Sequence, residues 1–182
     1  MKQFDVNVDI APGYKKFTIK SGQKYTNAKL PDQTYFVEGD ASSASYFLAA
    51  AAMTGGDLTV VGCGSSSTQG DVRFAEVLKD MGARIEMNPT NITVVGGPAQ
   101  LKGVDVDCLD IPDAAMTLAS VALVAEGTTT IRNVGSWRVK ETERMKAIVA
   151  ETSKFGADVT EQPTTCIIKP PTEIKPMCEI ET

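Results

Sequence analysis

Apolar positions change their period at regular intervals along the chain. Phe74, Val77, Leu78 and Met81 recur at helical spacing, as do Met145, Ile148, Val149 and Phe155, which predicts two amphipathic helices. Each pattern runs into a glycine-alanine pair, Gly82-Ala83 or Gly156-Ala157, where glycine can take the left-handed conformation that closes a helix. Beyond each pair, two short β-rich runs flank a turn: Arg84-Ile85-Glu86 and Ile92-Thr93-Val94, then Asp158-Val159-Thr160 and Cys166-Ile167-Ile168. Both read as hairpins. Upstream, residues 40–53 and 113–125 each begin with an aspartate and continue as alanine-rich helices. Leu58-Thr59-Val60-Val61 and Thr129-Thr130-Ile131-Arg132 follow them as strands, each just beyond a glycine.

These pieces form an internal repeat. Asp40 and Asp113 lie 73 residues apart, and Gly82 and Gly156 lie 74 apart. With opening strands at residues 35–38 and 104–107, the unit reads βαβαββ and fits twice, over 35–97 and 104–171. Residues 5–20 match only a closing hairpin, through Asp5-Val6-Asn7-Val8 and Lys16-Phe17-Thr18-Ile19. Residues 177–182 match only an opening strand. The expectation is a chain that starts midway through one unit and stops at the start of another.

Composition narrows the chemistry. A formal charge of −5, from 18 basic and 23 acidic residues, argues against a nucleic-acid surface, so an anionic ligand must be held locally. No apolar run reaches the length of a membrane span. The first residues lack the apolar core of a secretory signal and the Arg/Ser richness of a transit peptide. Cys63, Cys108, Cys166 and Cys178 are dispersed, and the chain has no histidine, which removes zinc-site and redox-motif readings. Buried thiols in a reducing compartment are the expectation. Without histidine, acid-base work falls to carboxylates or lysines.

Four segments then resemble a known family: Val37-Glu38-Gly39-Asp40-Ala41-Ser42-Ser43-Ala44-Ser45-Tyr46-Phe47, Gln69-Gly70-Asp71, Pro112-Asp113-Ala114-Ala115-Met116-Thr117, and Trp137-Arg138-Val139-Lys140-Glu141-Thr142-Glu143-Arg144. In order and over nearly the whole chain they look like EPSP synthase. The resemblance implies an α/β fold of the enolpyruvyltransferase type, with six βαβαββ units in two domains. Residues 1–36 would be the tail of a preceding unit and the crossover. Residues 37–182 would be a partial domain, with units at about 37–97 and 104–171 and the start of a third at 172–182. The family's N-terminal lysine-serine motif and its Asp-Asp-His-Arg segment have no counterpart in this sequence.

The resemblance also implies roles. Asp113 corresponds to the proton acceptor that contacts the shikimate ring hydroxyl; from the residues alone it reads first as the cap of its helix. Lys140 corresponds to a contact of shikimate 3-phosphate, Glu141 to the proton donor and Arg144 to a phosphoenolpyruvate ligand. Their i, i+3, i+4 spacing at a helix start predicts a common edge, and the plain alternative is a solvated charged face. A cation pair near a helix N-terminus opposes the dipole unless an anion binds there. Ser136 stands where many bacterial members carry asparagine in contact with shikimate 3-phosphate and plant-type members carry serine; a turn serine is the alternative. Asp40 reads as a cap, Ser42 and Ser43 as helix-opening residues, the Gly62-Cys63-Gly64-Ser65-Ser66-Ser67 run as a flexible loop, and Trp137 as packing or a platform beside the site.

The implied reaction moves the enolpyruvyl group of phosphoenolpyruvate onto shikimate 3-phosphate, with no metal and no organic cofactor. Implied partners are the two substrates and the remainder of the same enzyme, with neither nucleic acid nor membrane. The implied compartment is the plastid stroma or the cytoplasm. The rival readings are a UDP-N-acetylglucosamine 1-carboxyvinyltransferase relative, which fits the segments from Asp40 and Trp137 less well, and a noncatalytic binding module built of the same repeats.

Overall fold

The computed structural model describes residues 1–97, 100–176 and 179–181 and divides the chain into two compact units, Met1–Val37 and Glu38–Thr182. In the first, β1 (Asp9–Ile10) pairs antiparallel with β2 (Phe17–Thr18), Asp9 opposite Thr18 and Ile10 opposite Phe17. The expected hairpin is therefore present, with its first arm displaced from residues 5–8. A 3-10 turn over Lys2–Phe4 causes the displacement: it ends on Asp5 in the left-handed region, φ 61°, whose N–H is spent on Lys2 O. A residue so placed cannot continue a ladder. Val6 is buried, and the Phe4 ring lies 5.1 Å from Tyr35 and 6.2 Å from Tyr25.

The second unit opens on α1 (Ala41–Thr54), then β3 (Leu58–Val61), a 3-10 turn (Gly70–Arg73) running into α2 (Phe74–Asp80), β4 (Arg84–Met87) and β5 (Asn91–Val95). The sheet order is β3-β5-β4, all antiparallel. The repeat follows as β6 (Asp105–Asp107), α3 (Ala114–Val121), β7 (Thr129–Arg132), a 3-10 turn (Gly135–Val139), α4 (Arg144–Lys154), β8 (Asp158–Glu161) and β9 (Cys166–Lys169). Its order is β6-β7-β9-β8, with β6 and β7 parallel and the other pairs antiparallel. Parallel neighbours need a crossover, which α3 provides. This copy is a complete βαβαββ unit.

The first copy lacks its expected opening strand: among the described residues, 35–38 belong to no ladder. Gly39 N donates to Gly62 O at 2.7 Å, just beyond the end of β3. Glu38 turns its carboxylate into the 67–69 loop, accepting from the Ser67 hydroxyl, from Thr68 and from Gln69 Nε2, so the chain follows that loop rather than the edge of β3. The strand expected at 177–182 falls partly outside the described residues. Within it, residues 179–181 form no strand and run beside α4, where Glu179 O accepts from Lys154 and Glu181 N donates to Glu151.

Helix ends behave as their sequences require. Gly82 and Gly156 have φ of 104° and 95°, the left-handed geometry that a side chain disfavours. Asp40 caps α1, accepting from Ser42 N at 3.1 Å. Alanine faces let α1 and α3 approach closely, and the buried hydroxyls of Ser45 and Thr117 satisfy each other at 2.8 Å between them. Phe74, Leu78, Met81, Ile92, Ile111, Leu118, Ile131, Met145 and Ile168 complete a continuous core. Cys63, Cys108 and Cys166 are free and buried, and burial pushes the Cys108 and Cys166 thiols up to about 11, which leaves them unreactive. Cys178 lies outside the described residues. Among the described residues no helix is long and apolar enough to cross a membrane.

Candidate active site

The site forms where the start of α3 meets the loop before α4. Trp137, fully buried, donates through Nε1 to Pro112 O at 2.6 Å and so pins the Gly135–Val139 turn beside Asp113. Arg138, which the sequence reading left without a role, donates to Glu143 Oε1 at 2.9 Å, to Glu161 Oε2 at 3.2 Å and to the carbonyls of Gln162 and Pro163. Glu143 in turn caps α4 by accepting from Lys146 N at 2.8 Å. The five-residue spacing from Arg138 to Glu143, across a break rather than along a helix, was the available signal. These bonds fix the 140–143 loop from both ends.

That geometry corrects one expectation. Lys140 and Glu141 do not belong to a helix: Lys140 is extended, and α4 begins at Arg144. Glu143 claims the cap position, so the convergence comes from a bent loop and not from helical periodicity. The side chains nonetheless meet. Arg144 presents its fork to Glu141, Nε to Oε1 at 2.9 Å and Nη2 to Oε2 at 2.8 Å. Its Nη1 donates to Asp113 Oδ1 at 2.5 Å, and Lys140 Nζ lies 3.4 Å from the same oxygen.

Asp113 occupies the N-cap position of α3 without capping it. Its backbone is helical, φ −79° and ψ −46°, and its side chain makes no cap bond. The carboxylate faces the two cations instead. Ser136 sits exposed in the 3-10 turn, and no hydrogen bond joins its hydroxyl to the cluster among the described residues. The structure thus brings Asp113, Lys140, Glu141 and Arg144 together and does not join Ser136 to them among the described residues.

The electrostatics follow from the contacts. The hydrogen bond from Arg144, helped by the Lys140 charge, holds the Asp113 carboxyl below its ordinary value against an opposing contribution from partial burial. Glu141 is lowered mainly by its hydrogen bond from Arg144. Arg144 is raised in return, first by Glu141 and then by Asp113. The result is two cations and two carboxylates of balanced charge, both carboxylates ionised at neutral pH, around a guanidinium able to grip a planar anion bidentately.

A βαβαββ repeat carrying such a cluster at one end of its helices defines an enolpyruvyl transferase type of fold. The enolpyruvyl transferase NikO of Streptomyces tendae shares that fold, with a TM-score of 0.63 and 17% identity over 93% of this chain and 38% of its own. Residues 1–181 match the family described as EPSP synthase (3-phosphoshikimate 1-carboxyvinyltransferase), and the chain belongs to that family. The chloroplastic 3-phosphoshikimate 1-carboxyvinyltransferase of Solanum lycopersicum is 54% identical over 100% of this chain and 35% of its own length. The Vibrio vulnificus enzyme of that name is 51% identical over 96% of this chain and 39% of its own. Among solved structures, EPSP synthase of Acinetobacter baumannii superposes with a TM-score of 0.69 at 26% identity, over 93% of this chain and 39% of that one. The chain therefore spans about a third of these relatives, and 54% of the Nicotiana tabacum relative that is 52% identical to it.

Proposed function

We propose that this chain is part of an enzyme that transfers the enolpyruvyl group of phosphoenolpyruvate to shikimate 3-phosphate and releases phosphate. Residues 1–36 would serve as the tail and crossover of one domain, and residues 37–182 as part of the other. One observation carries the reading: the Arg144 fork is shared between two carboxylates of separate elements, with Lys140 on the same Asp113 oxygen. A solvated helix face gives no such convergence onto a side chain only 13% exposed.

In this reading the acceptor hydroxyl attacks C2 of phosphoenolpyruvate while Asp113 takes its proton, and Glu141 delivers a proton to C3, giving a tetrahedral intermediate. Loss of a C3 proton with departure of phosphate completes the transfer. The Arg144 fork favours the anionic form of Glu141, so in this reading Glu141 gains and delivers its proton once that bond is given up. Arg144 must first turn its fork to the carboxylate or phosphate of the donor substrate. That movement releases Glu141 to gain a proton, which links substrate arrival to acid activation. Lys140 and Ser136 contribute contacts to shikimate 3-phosphate, and no cofactor takes part.

The relatives bear on the rivals and on location. Those matching the whole chain carry the name 3-phosphoshikimate 1-carboxyvinyltransferase, which favours this reaction over transfer to a UDP-sugar. Several are named chloroplastic, and Ser136 agrees with the plant-type pattern, which supports the plastid stroma over the cytoplasm. The test is a graft: residues 1–181 replace the matching segment of the Solanum lycopersicum relative. The grafted enzyme should release phosphate only when both substrates are present, and the 182-residue chain alone should release none. An inactive but well-folded graft would count against the reading.

A further inference from the structure

The two aspartates that open the repeated helices do different jobs, and a third aspartate joins the two helix starts. Asp40 has an extended backbone, φ −72° and ψ 113°, and its carboxylate accepts from Ser42 N at 3.1 Å and from the Ser43 hydroxyl at 2.5 Å. It caps its own helix. Asp113 occupies the matching position of α3 with helical angles and no cap bond. In its place Ala114 N donates to Asp71 Oδ1 at 3.5 Å, while Asp71 Oδ2 accepts from the Ser42 hydroxyl. Asp71 therefore bridges the first turns of both repeated helices.

A backbone approach that only glycine permits brings Asp71 there. A Cβ added to Gly70 would lie 2.2 Å from the Asp110 carbonyl oxygen. At the other end of the same turn Arg73 donates to Asp107 O. The Gly70–Arg73 turn is thus seated on residues 107–114 at three points, and the segment beneath it carries Asp113.

We propose that Asp71 is a positioning residue for enolpyruvyl transfer: by tying Ala114 N at the start of α3 to the Ser42 hydroxyl of α1, it fixes the backbone from which the Asp113 carboxylate faces Arg144, Lys140 and the acceptor hydroxyl. This rests on the assignment of Asp113 as the proton acceptor. Ala115 N and Met116 N already donate to Ile111 O and Asp113 O, so Ala114 N is the donor at this helix start that Asp71 satisfies; without Asp71 that N–H is left open and the residue next to Asp113 loses its tie to the Gly70–Arg73 turn.

The test uses the grafted enzyme and compares kcat, melting temperature and a double-mutant cycle. Asp71→Ala should lower kcat roughly tenfold or more, as small misplacements of a catalytic group do. Asp71→Asn keeps the shape and an acceptor for Ala114 N, so it should stay within about threefold of the parent. In an Asp113→Ala background, adding Asp71→Ala should cost no further kcat, since the residue it positions is gone. Should the alanine variant fail to melt cooperatively, Asp71→Ser, too short to span from Ser42 to Ala114 N, makes the same comparison. Parental kcat in Asp71→Ala or Asp71→Ser beside an impaired Asp113→Ala would overturn the proposal alone, as would losses that simply multiply in the double variant. Parental kcat in Asp113→Ala itself would overturn the assignment of Asp113, and the proposal with it.

Discussion

Replacing Arg144 with lysine keeps the charge and removes the fork. Arg144 is the most enclosed member of the cluster, its side chain 13% exposed against 42% for Asp113 and 66% for Glu141. It makes three charge-assisted hydrogen bonds, in directions that one ammonium nitrogen cannot reproduce. A charge-assisted bond such as that to Asp113 contributes about 1.5–3 kcal/mol when shielded. At 42% exposure solvent screening reduces it to about 1 kcal/mol. The melting midpoint of the grafted enzyme should then fall by no more than about 3 °C. Binding suffers more, because a planar anion loses one of two parallel bonds inside a substrate-filled, water-poor site: about 1.5–3 kcal/mol, or roughly 10- to 100-fold in KM for phosphoenolpyruvate. KM for shikimate 3-phosphate should stay within about threefold, as Arg144 touches the donor and not the acceptor in this scheme. The assay is phosphate release with each substrate varied in turn, beside a thermal melt. An unchanged KM for phosphoenolpyruvate, or equal rises for both substrates, would refute the role of the fork.

Three further outcomes follow from the structure. The folded pKa values of Asp113 and Glu141 lie below their ordinary 3.8 and 4.5, so the stability from these ion pairs is fully present above that range and is lost as pH falls through the lowered values; the melting-temperature gap between parent and Asp113→Asn should hold from pH 6 to pH 5 and close only below about pH 4. Trp137→Phe removes the 2.6 Å bond to Pro112 O from a fully buried position and should cost about 1–3 kcal/mol, read as a fall of several degrees in melting midpoint, whereas an unchanged melt would show that the bond adds nothing. The isolated chain exposes Phe36, Tyr46 and Phe47 and should self-associate in light scattering at micromolar concentration; a monodisperse monomer would contradict this.

Periodicity made most of the fold legible. The glycine-alanine steps after α2 and α4 and the strands β3 to β9 follow local chemistry that survives packing. The opening strand at residues 35–38 was misread because β-propensity cannot see Glu38 being drawn to Ser67 and Gln69, thirty residues on. Lys140, Glu141 and Arg144 were correctly grouped for the wrong geometric reason: their spacing suits a helix, yet Glu143 takes the cap and leaves the first two in a loop. The repeat aligns Asp40 with Asp113, yet only Asp40 caps its helix through its side chain. They differ because Asp113 is already helical and its helix start is satisfied by Ile111 O, by its own carbonyl and by Asp71, whose reach to Ala114 rests on the absent side chain of Gly70, a long-range contact with no local signature.

The central claim is that Glu141 is the proton donor of enolpyruvyl transfer, held in reserve by Arg144. Glu141→Gln keeps the size and one acceptor for the Arg144 fork and removes the titrating proton. In the grafted enzyme it should lower kcat by roughly 10²-fold or more, with both substrates still binding and the fold intact by melting. Parental kcat in a well-folded Glu141→Gln enzyme would contradict the account.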